Sequence, residues 1–229
     1  MEEEKKDSKG ILKLLDDLYA KSVDGIPKIS KPINVLAEDY LSKNKDVDTA
    51  VKKMHKNQIK KCATSGVVNG FGGLITMPIT IPANVGSVLY VQMRMIACTA
   101  YMKGYDLQSD QVQTFVYACL AGISINEIIK KFGVNLGRKL TVSAIKKIPG
   151  EALIKINQKV GFRFMTKFGE KGLINLGKMV PVIGAAINGG LDYAETKIIA
   201  KRAYKLFVDG DLIAIEASND EEKEEQDDE

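Results

Sequence analysis

Histidine is almost absent from this 229-residue chain: His55 stands alone, inside a lysine-rich segment. Histidine-based catalysis or metal ligation needs partners that the neighbouring residues do not offer, so His55 is expected on a solvated surface. Cysteine is scarce too. Cys62, Cys98 and Cys119 are odd in number, lack CxxC spacing and sit among apolar residues. That pattern excludes a disulfide frame or a metal knot and predicts reduced thiols in a core. The acidic start Met-Glu-Glu-Glu-Lys-Lys leads into no apolar stretch with a small-residue cleavage site. A secretory signal is therefore not expected, and the cytoplasm is the expected compartment. No segment shows the period-two alternation of a half-buried strand. The fold class is read as all-α, a compact multi-helix domain over residues 10–215. A disordered N-terminus at 1–9 and an acidic disordered tail at 216–229 are expected on either side.

Charge is missing where the chain is most unusual. From Cys62 to Met93 no residue is charged, yet Gly66, Gly70, Gly72, Gly73, Pro78, Pro82 and Gly86 punctuate the run. It reads as the end of one helix, a glycine-rich corner, and a new helix from about Pro82 to Met102 with a left-handed cap at Gly104. A membrane-spanning helix needs about 20 predominantly apolar residues. Glycine, proline, asparagine and threonine break each such stretch before Pro82. The best stretch after it contains Arg94, which at a bilayer centre costs about 2.5–3.5 kcal/mol. Tightly packed apolar hairpins inside the fold explain the composition equally well.

Elsewhere the 3.6-residue period is plain. It predicts helices at Gly10–Val23, Ile33–Lys43, Val47 to about Gly66 behind an Asp46 cap, and from Ser109 onward with Asp110 in the first turn. Basic, interrupted helices follow through 126–147, then a helix at about 151–168. A last long one runs from Pro181 or Val182 to Val208. Shifting the chain by 103 positions superposes two apolar segments: Pro78 falls on Pro181, Ala83 on Ala186, Gly86 on Gly189 and Tyr90 on Tyr193. Arg94 then meets Lys197. Each unit reads as a proline-started helix with small residues that permit close backbone approach.

Charge, where present, is sorted. Residues 216–229 hold nine acidic side chains against Lys223, a local net of −8 in a chain of net +4, which leaves +12 for the remainder. Eleven basic residues against Glu151 and Glu170 lie between Lys130 and Lys171. Within them Lys155, Lys159, Arg163 and Lys167 recur every four residues beside an apolar face of Leu153, Ile156, Val160 and Phe164. Such a helix suits anionic lipid headgroups, at about 1 kcal/mol per basic residue near the surface. No recognisable nucleic-acid-binding motif or base-stacking platform accompanies it, so nucleic acid is not an expected partner.

The glycine spacing Gly66-x3-Gly70-x-Gly72-Gly73, the Ile81-Pro82-Ala83-Asn84 step, Gln92-x-Arg94-Met95-Ile96 and Gly104-Tyr105-Asp106 resemble the first half of the EcsC family. Ile148-Pro149, Lys155-Ile156-Asn157, Val180-Pro181-Val182-Ile183-Gly184-Ala185 and the last helix with Ala203 and Phe207 resemble its second half. The resemblance spans roughly residues 45–210. It implies a bacterial, helical protein with an elevated chance of membrane association and no catalytic signature. Some relatives place an acidic residue near the Pro82 step, where this chain has Thr80, so no polar site is carried over.

Sharper motifs fail on inspection. Gly172-x4-Gly177-Lys178 puts Met179 where a P-loop needs Ser or Thr, and no strand precedes it. Gly70-Phe71-Gly72-Gly73 likewise lacks the strand of a dinucleotide-binding turn. Asp16-Asp17 and Glu38-Asp39 are adjacent pairs that diverge on a helix and point to solvent. Arg94 in a core calls for a carboxylate, with Asp192 or Asp106 as candidates. No catalytic residue, cofactor or metal is assigned. Three readings remain: a non-enzymatic protein peripheral to the inner membrane face, binding anionic lipid or a membrane complex; an adaptor with an apolar groove between the repeat-related helices; and a small-molecule binder or enzyme with a polar pocket of Asn84, Arg94, Asn188, Asp192 and Lys197.

Overall fold

The computed structural model describes residues 2–63, 83–134, 139–168 and 184–212, with side chains at 10–62, 86–134, 139–166 and 193–212. These residues form nine α-helices and a closing π-helical turn, with no strand among them. The helices are α1 Glu2–Asp24, α2 Ile33–Leu41, α3 Val47–Ala63, α4 Ala83–Met102, α5 Asp110–Ala121, α6 Asn126–Lys131, α7 Val142–Ile145, α8 Gly150–Phe168 and α9 Gly184–Ala203; Tyr204–Val208 is the π turn. All-α is correct. Helix α1 takes in Glu2–Lys9. The acidic segment 216–229, the glycine corner at 66–73 and the 172–178 motif lie outside the described residues.

Local chemistry sets the boundaries. The Asp46 carboxylate accepts from the Thr49 backbone N–H at 2.7 Å ahead of α3. The Ser109 hydroxyl accepts from Val112 N–H at 3.3 Å and caps α5. Gly104 (φ +80°) ends α4, and Tyr105 N–H reaches back to the Ala100 carbonyl at 3.1 Å, a glycine-based C-terminal lock.

Helix α4, which takes up the uncharged run from Ala83 onward, lies at the centre of the described residues. Every residue of α4 from Gly86 to Ala100 is buried, and α4 packs against α1, α2, α3, α5 and α9. A helix that is apolar all round has this destination when neighbours enclose it. No helix among the described residues is long and apolar enough to cross a membrane. The other helix of the repeat, α9, also runs for 20 residues and packs directly on α4. Meanwhile α8 lies on α1 and α5, and α3 on α9.

Candidate functional site

Polar side chains inside α4 peg it to its neighbours. Arg94 is 5 % exposed. Its guanidinium donates to the Ser22 carbonyl at 2.8 Å and to the Lys31 carbonyl. Ser22 lies in the last turn of α1, where carbonyls lack helical partners and the dipole is negative, so a fork of cationic donors fits that end. Gln92 Nε2 donates to Thr196 Oγ1 of α9 at 3.0 Å. Tyr90 Oη lies 2.6 Å from Ser30 Oγ, which also accepts from Ile26 N–H.

His55 needs correction. It is 6 % exposed, not solvated, because it lies on the inner stripe of α3 with Val51, Met54, Gln58 and Cys62, spaced for one helix face. The Thr99 hydroxyl donates to the Met95 carbonyl at 2.9 Å, so the 2.7 Å contact to His55 Nε2 makes that nitrogen the donor. Burial holds the imidazole neutral, with its pKa lowered to about 4. The three cysteines are free and buried, and burial pushes the Cys98 and Cys119 thiols up to about 12. Those thiols are inert packing groups, not nucleophiles.

Arg94 and Lys197, two of the residues expected to form one polar pocket, have different settings. Arg94 turns inward to the end of α1, whereas Lys197 is exposed and lines a groove between α3 and α9. The side chains of Asn84, Asn188 and Asp192 lie outside the described residues. The repeat-related helices α4 and α9 pack on each other.

An open groove lies between α3 and α9, and it is basic. Its volume is about 500 Å³. Lys52, Lys56 and Lys60 from α3 face Lys197 and Lys201 from α9 and Lys205 from the π turn. Each set is spaced every four residues, which keeps it on one side of its helix. Ile59, Ala200, Tyr193 and Tyr204 add apolar and aromatic wall, and His55 also borders the space. Asp209 is the one carboxylate among the lining residues. Lys52 is held in place: its ammonium sits 2.7 Å from Asp48 and 5.3 Å from the centre of the Tyr204 ring. Its pKa is raised, first by the hydrogen bond to Asp48. Sequence reasoning missed this site. The two lysine ladders are visible in the chain, but their meeting depends on how α3 packs against α9.

A second basic face lies on α8. Leu153, Ile156, Val160 and Phe164 are buried against the core, and Lys155, Lys159 and Arg163 are exposed; the Lys167 side chain lies outside the described residues. Two apolar side chains share the outward surface: Ile154 is 58 % exposed and Phe162 is 60 % exposed. Phe162 follows Lys159 by three residues and Lys155 by seven, so the ring and both ammonium groups lie on the same side of the helix.

Among the described residues no cluster of histidine, cysteine or carboxylate side chains could hold a metal ion. The model of the EcsC protein family matches residues 43–208. No curated protein and no solved structure matches the chain.

Proposed function

The chain belongs to the EcsC protein family, and from that premise we propose that it is a non-enzymatic protein of the cytoplasmic membrane face. It binds anionic lipid through the outer surface of α8. One observation carries this reading: Ile154 and Phe162, each more than half exposed, lie beside Lys155, Lys159 and Arg163 on one helix. Exposed single apolar residues are ordinary, but a large aromatic and a large aliphatic residue within a cationic stripe match both layers of a bilayer interface. The ammonium and guanidinium groups meet lipid phosphates while the two apolar side chains reach the acyl boundary. The helix stays folded throughout, since its opposite face remains buried on α1 and α5.

The test is co-sedimentation of the full chain with vesicles of phosphatidylcholine alone or with phosphatidylserine added. Binding should require phosphatidylserine and should weaken with salt, because the charges act within a Debye length of about 8 Å at physiological ionic strength. If the chain stays in the supernatant with both vesicle types at low salt, or if Phe162→Ser and Lys159→Gln bind like the parent, the proposal is overturned.

A further inference from the structure

The groove between α3 and α9 carries an inference independent of α8. We propose that it is a binding site for phosphoryl groups, gripped between the α3 ladder Lys52, Lys56 and Lys60 and the opposing ladder Lys197, Lys201 and Lys205.

Three observations support this. First, six lysines and one aspartate line a space of about 500 Å³, with Lys52 also paired to Asp48. Basic side chains outnumber acidic ones on this wall, so it attracts a multiply charged anion. Second, the shape selects the size of ligand. The space falls within the range of about 300–1,000 Å³ typical of small-molecule sites, and helical ladders bound it on two sides. A phosphoryl group carries about two negative charges and three acceptor oxygens, so it can engage several ammonium donors together. Third, the framework is fixed before any ligand arrives. Thr99 and Thr196 tie α3 and α9 to the central helix through His55 and Gln92, and Tyr204 and Asp48 position Lys52. Tyr193, 44 % exposed, offers an aromatic edge for the rest of the ligand. The phosphoryl group can come from a soluble molecule or from a lipid headgroup, and the experiment separates the two.

Isothermal titration of the full chain with inorganic tripolyphosphate, at constant ionic strength, reads the soluble source. Co-sedimentation with phosphatidylcholine vesicles containing phosphatidic acid reads the lipid source. The vesicle arm uses Lys155→Gln/Lys159→Gln/Arg163→Gln, so that attachment through α8 does not contribute. Saturable binding is expected in at least one arm. It should weaken by about tenfold or more in Lys56→Gln/Lys60→Gln/Lys197→Gln, because interactions between ammonium and phosphate are lost. In the titration the α8 variant should stay within about twofold of the parent, since its changes lie outside the groove. Tripolyphosphate binding assigns a soluble ligand; binding to the vesicles alone assigns a headgroup. Absence of binding in both arms overturns the proposal, and so does tripolyphosphate affinity lost equally in the groove and α8 variants. Should the triple groove variant fail to fold, Lys60→Gln and Lys197→Gln are measured singly, and affinities equal to the parent's likewise overturn it. Failure here leaves the α8 reading standing, because phosphatidylserine vesicles test that face separately.

Discussion

At the residue scale, the telling side chains are polar ones placed where water is absent. His55 titrates at about 4 in the fold, against roughly 6.5 in an unfolded chain. Between those values the unfolded chain binds a proton that the folded one refuses, so stability falls as pH drops from about 6.5 to 4 and this loss is complete below that. The contribution is about 3 kcal/mol at most. In His55→Gln the stability difference between neutral pH and about pH 4.5, measured by urea unfolding, should shrink by about 1–3 kcal/mol. An unchanged difference would mean that the imidazole is not held neutral by burial. Arg94 makes the complementary case. Arg94→Met leaves the Ser22 and Lys31 carbonyls without that donor and should cost about 2–4 kcal/mol in the same assay. Arg94→Lys should recover less than half, because one ammonium cannot reproduce the planar fork. Both residues show what a sequence conceals. The spacing of His55 with Val51, Met54 and Cys62 marks an inner stripe, whereas the lysine-rich setting pointed to a solvated surface. For Arg94 the expected partner was a carboxylate, and the described partners are backbone carbonyls that carry no signature in the amino-acid code.

At the element scale, most boundaries were legible because side chains specify them locally. Asp46, Ser109 and Gly104 each act within a few residues of their position. The end of the described chain was less visible, since it depends on a distant partner. Gly210 has φ +72°, and a Cβ there would stand 2.7 Å from the Leu140 carbonyl oxygen. Its own carbonyl accepts from Leu140 N–H at 2.6 Å, beside the backbone β-bridge between Lys139 and Asp211. Gly104, at φ +80°, would meet nothing within 4 Å. The pair separates two costs that glycine avoids. Gly104→Ala should lose only the left-handed conformational preference, about 1–2 kcal/mol. Gly210→Ala should lose more, because the Leu140 backbone must also move; thermal unfolding of both variants gives the comparison. Equal losses would show that Leu140 yields freely. The repeat is instructive here as well. Its two segments form equally long helices, yet matched Arg94 and Lys197 occupy a buried carbonyl end and an open groove. Similar sequence set similar helices, and packing set their exposure.

At the scale of the whole molecule, α4 shows how an apolar helix is enclosed among the described residues and where the charge goes. Helices α1, α2, α3, α5 and α9 enclose it, and the lysines of α3, α8 and α9 are left on outer faces. Two of those faces differ in physics. The α8 surface combines charge with exposed Ile154 and Phe162, whereas the groove concentrates ammonium groups in a concavity. Under the proposed function, vesicle binding through α8 should therefore contain two separable contributions. Phe162→Ser should lower affinity for phosphatidylserine vesicles by about 1–2 kcal/mol, roughly 5- to 30-fold, at every salt concentration, since the apolar transfer is not screened. Lys159→Gln should cost about 1 kcal/mol at low salt and fade as ionic strength rises toward about 1 M, where the Debye length is about 3 Å. Both variants should unfold at the parent temperature, because neither side chain contributes to the core. Measured together, the two salt profiles decide the orientation of α8 on the membrane. A ring that reaches the acyl boundary gives a flat loss, and a ring held clear of it gives none.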